Sequence, residues 1–387
     1  MTFTPRTRRT RRTLLGATAL ASAVLLAGCA GSNASADGDG GGDEIVLGFT
    51  ATMTGDFASY GIQLKEGVEF AVAEINEAGG IDGKQVRVVS ADDEGKPANG
   101  PVVAQQFCDD SSISAVLGYS FSSVALSALP VYDQCGLPVV ASAVTSPELS
   151  GASPVFFRNI FTDSFQGAEM GAFVAEHEGA KKIAVLHQQD DYGQGIAAAF
   201  SEAFEEAGGE VTSTQAYQLG TVSFTTLIDT ALRDDVDGIF VGGFYTETSK
   251  IASQLREAGS DVQLYAADGT VHPDFLELGG DAVEGTIVYT GFAAVAAPDS
   301  PFVTDFTEAS GAEPGTWTAL AYDAVQVVAK AIEDAGSADR EAIVSALAAL
   351  EPFDGVTGPT SFDENGDRAG ELFYLQVVDG RFTLIED

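Results

Sequence analysis

Gly118-Tyr119-Ser120-Phe121-Ser122 lies between an apolar run and an amphipathic segment, close to the Gly-x-Ser-x-Gly turn that lifts a nucleophilic serine above a sheet. The closing glycine is missing, and that strained turn needs it for close packing. His177, His187 and His272 are scattered, and none is an evident triad partner. Gly193-Gln194-Gly195-Ile196-Ala197-Ala198 fits the dinucleotide fingerprint Gly-x-Gly-x-x-Ala. Asp190 and Asp191 precede the glycines, however, where they repel a pyrophosphate, and the loop reads as too long for the tight turn of that motif. No His/Cys cluster has zinc spacing. Asp363-Glu364-Asn365-Gly366-Asp367 starts like a calcium loop, but Arg368 replaces the glycine at its sixth position and Tyr374 the glutamate at its twelfth. No catalytic residue, metal or cofactor is assigned.

What remains is a set of polar and aromatic residues near the ends of strand-like runs: Tyr60, Ser122, Ser123, Thr145, Asp163, Tyr192, Asp268 and Trp317. Hydroxyls and open helix N-termini suit a carboxylate, a buried carboxylate suits an ammonium, and aromatic rings suit an apolar side chain. Each alone reads equally well as a cap or loop residue. Together they describe a pocket for a small zwitterion, without a nucleophile.

The elements that must position them alternate. Short apolar runs at Ile45–Ala51, Val86–Ala91, Ala115–Gly118, Pro138–Ser142, Lys182–His187, Val236–Gly242, Val262–Ala266 and Thr286–Thr290 read as strands covered on both faces. Amphipathic segments separate them; Leu64, Val68, Ala71, Val72 and Ile75 form one such stripe. Gly79, Gly208, Gly259 and Gly336 each close a helical pattern. Residues 44–387 are too many for one core, and two doubly wound α/β lobes are the natural solution. Ligands then bind beyond the carboxyl ends of the strands.

The N-terminus bears on compartment. Arg6, Arg8, Arg9, Arg11 and Arg12 precede an apolar run, Leu14–Ala27, too short to span a bilayer. Leu26-Ala27-Gly28-Cys29 resembles a bacterial lipobox, so residues 1–28 read as a signal peptide and Cys29 as the site of lipidation. Arg11-Arg12 leaves twin-arginine export open. Residues 29–43, rich in Gly, Ser and Asp, read as a flexible tether. Lys and Arg number 19 against 57 Asp and Glu, a net charge of −38, which repels phosphate backbones and anionic lipid and argues against a nucleic-acid partner. Cys108 and Cys135 remain as an even pair in an oxidising compartment, open to a disulfide or to two buried thiols.

From Ile45 to about Phe382 the sequence resembles the substrate-binding proteins of branched-chain amino acid ABC transporters. The resemblance rests on Met53-Thr54-Gly55 with Tyr60-Gly61, Asn76 through Gly80-Ile81 and Gly83, Asp92-Asp93, Gly118 with Ser122-Ser123, Thr145-Ser146-Pro147-Glu148-Leu149, Arg158 with Asp163, Asp191-Tyr192-Gly193, Gly242-Gly243, and Gly358-Pro359 with Phe362-Asp363. It implies a type I periplasmic-binding-protein fold, two Rossmann-like lobes joined by three crossovers. One lobe would hold 44–162 and about 293–370, the other 163–292 and about 371–387. By the same resemblance Ser122, Thr145 and the backbone at Ala143 meet the carboxylate and ammonium of an amino acid, with Ser123 a further candidate beside them. Tyr60 and Trp317 border its side chain, and Asp163, Tyr192, Phe244, Asp268 and Gly269 complete the site. Two positions depart from the family: Phe244 stands for a tyrosine and Asp268 for a glutamate. Trp317 replaces a smaller aromatic. The family's disulfide positions fall on Gly95 and Phe121, so Cys108–Cys135 would be a separate bridge. The implied partner is an ABC permease, with a sensor partner or an amide, urea or aromatic-acid ligand as alternatives.

Overall fold

The computed structural model describes residues 44–385. The signal segment, the tether and Cys29 lie outside them.

The chain runs β1 (Glu44–Ala51), α1 (Ala58–Glu77), β2 (Gln85–Asp92), α2 (Gly100–Asp109), β3 (Ile113–Gly118), α3 (Ser122–Cys135), β4 (Val139–Ala141) and β5 (Phe156–Arg158). These strands form a parallel sheet in the order β2-β1-β3-β4-β5. The chain then crosses at 159–162 into α4 (Asp163–Glu176), β6 (Lys182–Gln188), α5 (Asp191–Glu206), β7 (Glu210–Tyr217), α6 (Thr225–Ala231), β8 (Gly238–Gly242), α7 (Tyr245–Glu257), β9 (Gln263–Ala266), α8 (Pro273–Gly279) and β10 (Ile287–Thr290). It returns through 291–300 to α9 (Pro301–Ser310), α10 (Thr316–Ala335), α11 (Arg340–Ala348) and the hairpin β11 (Phe353–Gly355) and β12 (Gly358–Thr360). A third passage, 361–372, delivers β13 (Phe373–Val378) and β14 (Arg381–Leu384) to the second sheet, whose order is β14-β13-β10-β9-β8-β6-β7. Its five strands β6 to β10 are parallel, and β13 and β14 are antiparallel additions.

The α/β class expected from the alternating pattern is the one observed. β1 is buried at seven of its eight residues and β8 at all five, because helices cover both faces of each sheet. The Leu64–Ala71 stripe is buried on α1, which packs on α10. Gly67 permits that approach: a Cβ there would stand 2.1 Å from the Thr318 carbonyl oxygen. The contact places Tyr60 and Trp317, in the first turns of the two helices, with rings 5.8 Å apart. Cys108, at the end of α2, and Cys135, at the end of α3, are joined as a disulfide with Cα atoms 6.0 Å apart.

Strand order reverses between β1 and β3 in the first sheet, and between β6 and β8 in the second. Such switch points open a crevice beyond the carboxyl ends of the strands. The segments that leave β1, β3, β4, β6, β8 and β9 carry the polar residues of interest toward one another.

Candidate functional site

Ser122 is the first residue of α3, and its hydroxyl oxygen accepts from the backbone N–H groups of Thr145 and Ser146, both at 3.2 Å. That contact ties the loop after β4 to the start of α3. Phe121 offers no side-chain cap, so the positive end of the α3 dipole and the Ser122 O–H are free to meet an anion. Ser120 accepts from Thr52 N–H at 3.0 Å and fixes the loop after β1. Asp93 holds the same loop by accepting from Thr50 and Thr52 hydroxyls.

The second half answers with carboxylates. Asp268, just after β9, accepts from the Tyr192 hydroxyl at 2.7 Å, from Gln166 Nε2 at 3.3 Å and from Gly269 N–H at 2.9 Å. Burial pushes its carboxyl up, and those hydrogen bonds oppose the shift. Gly269 must lack a side chain, since a Cβ would lie 2.8 Å from the Tyr192 oxygen and 2.9 Å from Phe244. Asp163, first in α4, is wholly buried with both oxygens unpaired. Burial, then the charge of Asp268, drives its carboxyl well above the usual carboxylate range. Thr145 Oγ1 is close enough to favour the ionised form but lacks full hydrogen-bond geometry, so it too counts as unpaired. Arg158, whose charge opposes that shift, is engaged by Asp367 at 2.6 Å.

Aromatic rings fill the space between the halves. Phe244 packs on Phe121 at 4.9 Å, stacks on Tyr192 at 5.0 Å and lies 5.6 Å from Tyr60. Tyr60 donates its hydroxyl to the Gly269 carbonyl, and Ser59 meets the Tyr245 hydroxyl at 2.6 Å, so the two halves are latched across the crevice. The cavity left between them offers about 10 Å³ for the centre of a water-sized sphere, room for about one water molecule.

Tyr60, Ser122, Ala143 and Trp317 from one half, and Tyr192, Phe244, Asp268 and Gly269 from the other, line that single cavity. Thr145 and Asp163 sit behind the wall, buried, while Ser123 is half-buried on α3 and does not reach it. Sequence reasoning missed Ser120 as a lining residue, together with Phe57, Tyr245 and His272, whose rings pack around Tyr60 or Phe244. Ser120 was visible only inside the failed nucleophile motif. The reading of the Gly193 segment as a long loop is corrected: two residues separate β6 from α5, and a Cβ on Gly193 would lie 2.2 Å from the Gln188 carbonyl oxygen. The turn is tight, but Asp190 caps the helix by accepting from Gly193 N–H at 2.8 Å, which occupies the place of a phosphate. Asp363 likewise accepts from the N–H groups of Asn365 and Asp367, closing that acidic segment on itself.

The sequence profile of the periplasmic binding proteins matches residues 44–381. The chain belongs to that family. A leucine-, isoleucine-, valine-, threonine- and alanine-binding protein of Pseudomonas aeruginosa is 32% identical over 350 residues, 90% of this chain and 92% of that protein. The crystal structure of a leucine binding protein from Thermotoga maritima matches with a TM-score of 0.84 at 30% identity, over 88% of this chain and 98% of that one. A branched-chain amino acid transporter substrate binding protein from Streptococcus pneumoniae, in complex with isoleucine, matches at 0.82 and 30%, over 88% and 99%. This periplasmic binding protein therefore has the type I fold, and its crevice lies where the two sheets of that fold face one another.

Proposed function

We propose that this periplasmic binding protein captures an α-amino acid with an apolar or related side chain and presents it to an ABC permease. The observation that carries the reading is electrostatic. Two buried carboxylates, Asp163 and Asp268, have no cation between them, and across the crevice an uncapped helix opens at Ser122. A zwitterion satisfies both ends. Its ammonium pairs with Asp268, with the buried Asp163 carboxyl behind the wall adding to the field, and its carboxylate takes the Ser122 hydroxyl and the α3 N-terminus. The relatives that bind leucine, isoleucine, valine, threonine or alanine support the same class.

The five-stranded and seven-stranded halves act as lobes hinged at 159–162, 291–300 and 361–372. Ligand bound to one lobe gains contacts from the other on closure, and the permease selects the closed surface. The protein performs no chemistry on its cargo. The basic segment, apolar run and lipobox support export and anchoring through a lipid on Cys29.

A thermal-shift screen of the twenty amino acids, small amides and aromatic acids tests the ligand class, because binding raises the melting point by mass action. Amino acids should give the largest shifts. Shifts from carboxylic acids or amides that lack an amine, and none from amino acids, would overturn the reading.

A further inference from the structure

Among the residues that line the cavity, one buried side-chain polar atom has no partner, Trp317 Nε1. It lies outside the pairing of the proposed zwitterion's ammonium and carboxylate. It is buried, has no partner, and belongs to a side chain that lines the cavity and is only 3% exposed. An indole N–H can only donate, so an ammonium cannot satisfy it. Buried indoles ordinarily find an acceptor, and one left without a partner is a destabilising feature that a ligand can relieve. Gln63 reaches the start of α10, where a Cβ on Gly315 would lie 2.5 Å from its Oε1. Its Oε1 is likewise unpartnered, so the two groups do not bond to each other.

Trp317 stands beside Tyr60, with ring centroids 5.8 Å apart, in the first turn of α10. The groups assigned to the ligand's charged ends come from elsewhere: Ser122 opens α3, Asp163 opens α4, and Asp268 follows β9. The indole therefore belongs to the wall that faces a side chain.

We propose that the ligand's side chain carries an oxygen acceptor that receives the Trp317 Nε1–H. This rests on the α-amino acid reading and narrows it to short side chains with a hydroxyl or carbonyl oxygen, in preference to wholly aliphatic ones. A site built to bond such an oxygen rejects the isostere that lacks it, because the donor is then buried unpaired.

Two near-isosteric pairs test this by calorimetry: threonine against valine, and asparagine against leucine. In the wild-type protein the oxygen-bearing member of at least one pair should bind on the order of ten-fold tighter. Trp317→Phe keeps a ring and removes the N–H, so that ratio should collapse toward one even though both members lose packing. Wild-type protein that prefers valine to threonine and leucine to asparagine overturns the proposal without any variant. So does a preference that Trp317→Phe leaves unchanged, or an equal loss for both members from a ratio that was already one. Binding of aliphatic amino acids alone removes this inference and leaves the amino acid reading standing. Absence of binding by any amino acid removes both.

Discussion

At the scale of residues the site is defined by charge that the protein does not neutralise. Asp268 accepts three hydrogen bonds and still has its carboxyl raised by burial. An ammonium placed against it would be desolvated and dependent on it. Asp268→Asn should then cost about 2–5 kcal/mol of amino acid affinity, as for a truncated buried charge pair, with the melting point of the free protein unchanged or higher. Asp268→Glu should lose much less; calorimetry on the best ligand from the screen decides, and tight binding by the Asn variant would show that the ligand brings no ammonium. A related expectation concerns pH. The Asp163 carboxyl is raised by burial and by Asp268, so the folded protein holds its proton more tightly than the unfolded chain. Its contribution to stability is then present below the ordinary carboxylate range and lost as pH rises through the folded value. Asp163→Asn should stabilise the ligand-free protein at neutral pH and weaken its binding. Amino acid binding should release protons, measured as a heat that changes with the ionisation enthalpy of the buffer. Binding without proton exchange at mildly acidic pH would show that both carboxylates are already ionised.

At the scale of elements, apolar strands were legible, the edge strand β2 among them, and the polar or very short ones were not. β1, β3, β8 and β9 announce themselves as apolar runs. β7 reads Glu-Val-Thr-Ser-Thr-Gln-Ala-Tyr, polar because it is the edge of its sheet. β5 ends in Arg158, a residue that sequence rules keep at the surface. Here it is buried because Asp367 and the carbonyls of Val144 and Ser146 satisfy it, and no local pattern reveals a carboxylate partner 209 residues away. The site divides the same way. Residues directly after strands, such as Ser122, Thr145 and Asp268, could be found from position. Phe57, Tyr245 and His272 could not, because only the meeting of the two halves gives their rings a common neighbour in Tyr60 or Phe244. The Cys108–Cys135 bridge joins the ends of α2 and α3 and closes a separation of 27 residues. The chain-entropy relation gives it about 3.5 kcal/mol. Alkylation of the exported, non-reduced protein should leave both thiols unmodified, and Cys135→Ser should lower the melting point without changing ligand preference. Ready labelling of both cysteines would show that the bridge does not form in the cell.

At the scale of the whole molecule, three passages of chain between the two sheets converge on one ring. Phe161, in the first passage, faces Gly291 of the second and Gly370 of the third. The Arg368 guanidinium lies over the same ring at 5.2 Å and donates to the Asn159 carbonyl at 2.8 Å. Burial holds that guanidinium below its usual range, at about 10, so it remains charged near neutral pH and its cation–π contact persists. A Cβ on Gly370 would stand 2.5 Å from Phe161 Cζ, too close for the ring to stay where it is. Gly370→Ala therefore displaces the ring about which the lobes are proposed to turn, and no residue lining the ligand cavity is altered. If closure runs through this hinge, the variant should bind amino acid several-fold more weakly. The decrease in radius of gyration on adding ligand, read by small-angle scattering, should also shrink. Phe161→Leu in the same background makes room for the new methyl and should recover part of both, a coupling that a double-mutant cycle measures directly. Overpacking alone would lower the melting point by an amount equivalent to about 1–3 kcal/mol and leave the scattering change intact. A Gly370→Ala protein that closes and binds like the wild type would place the hinge elsewhere in the three passages.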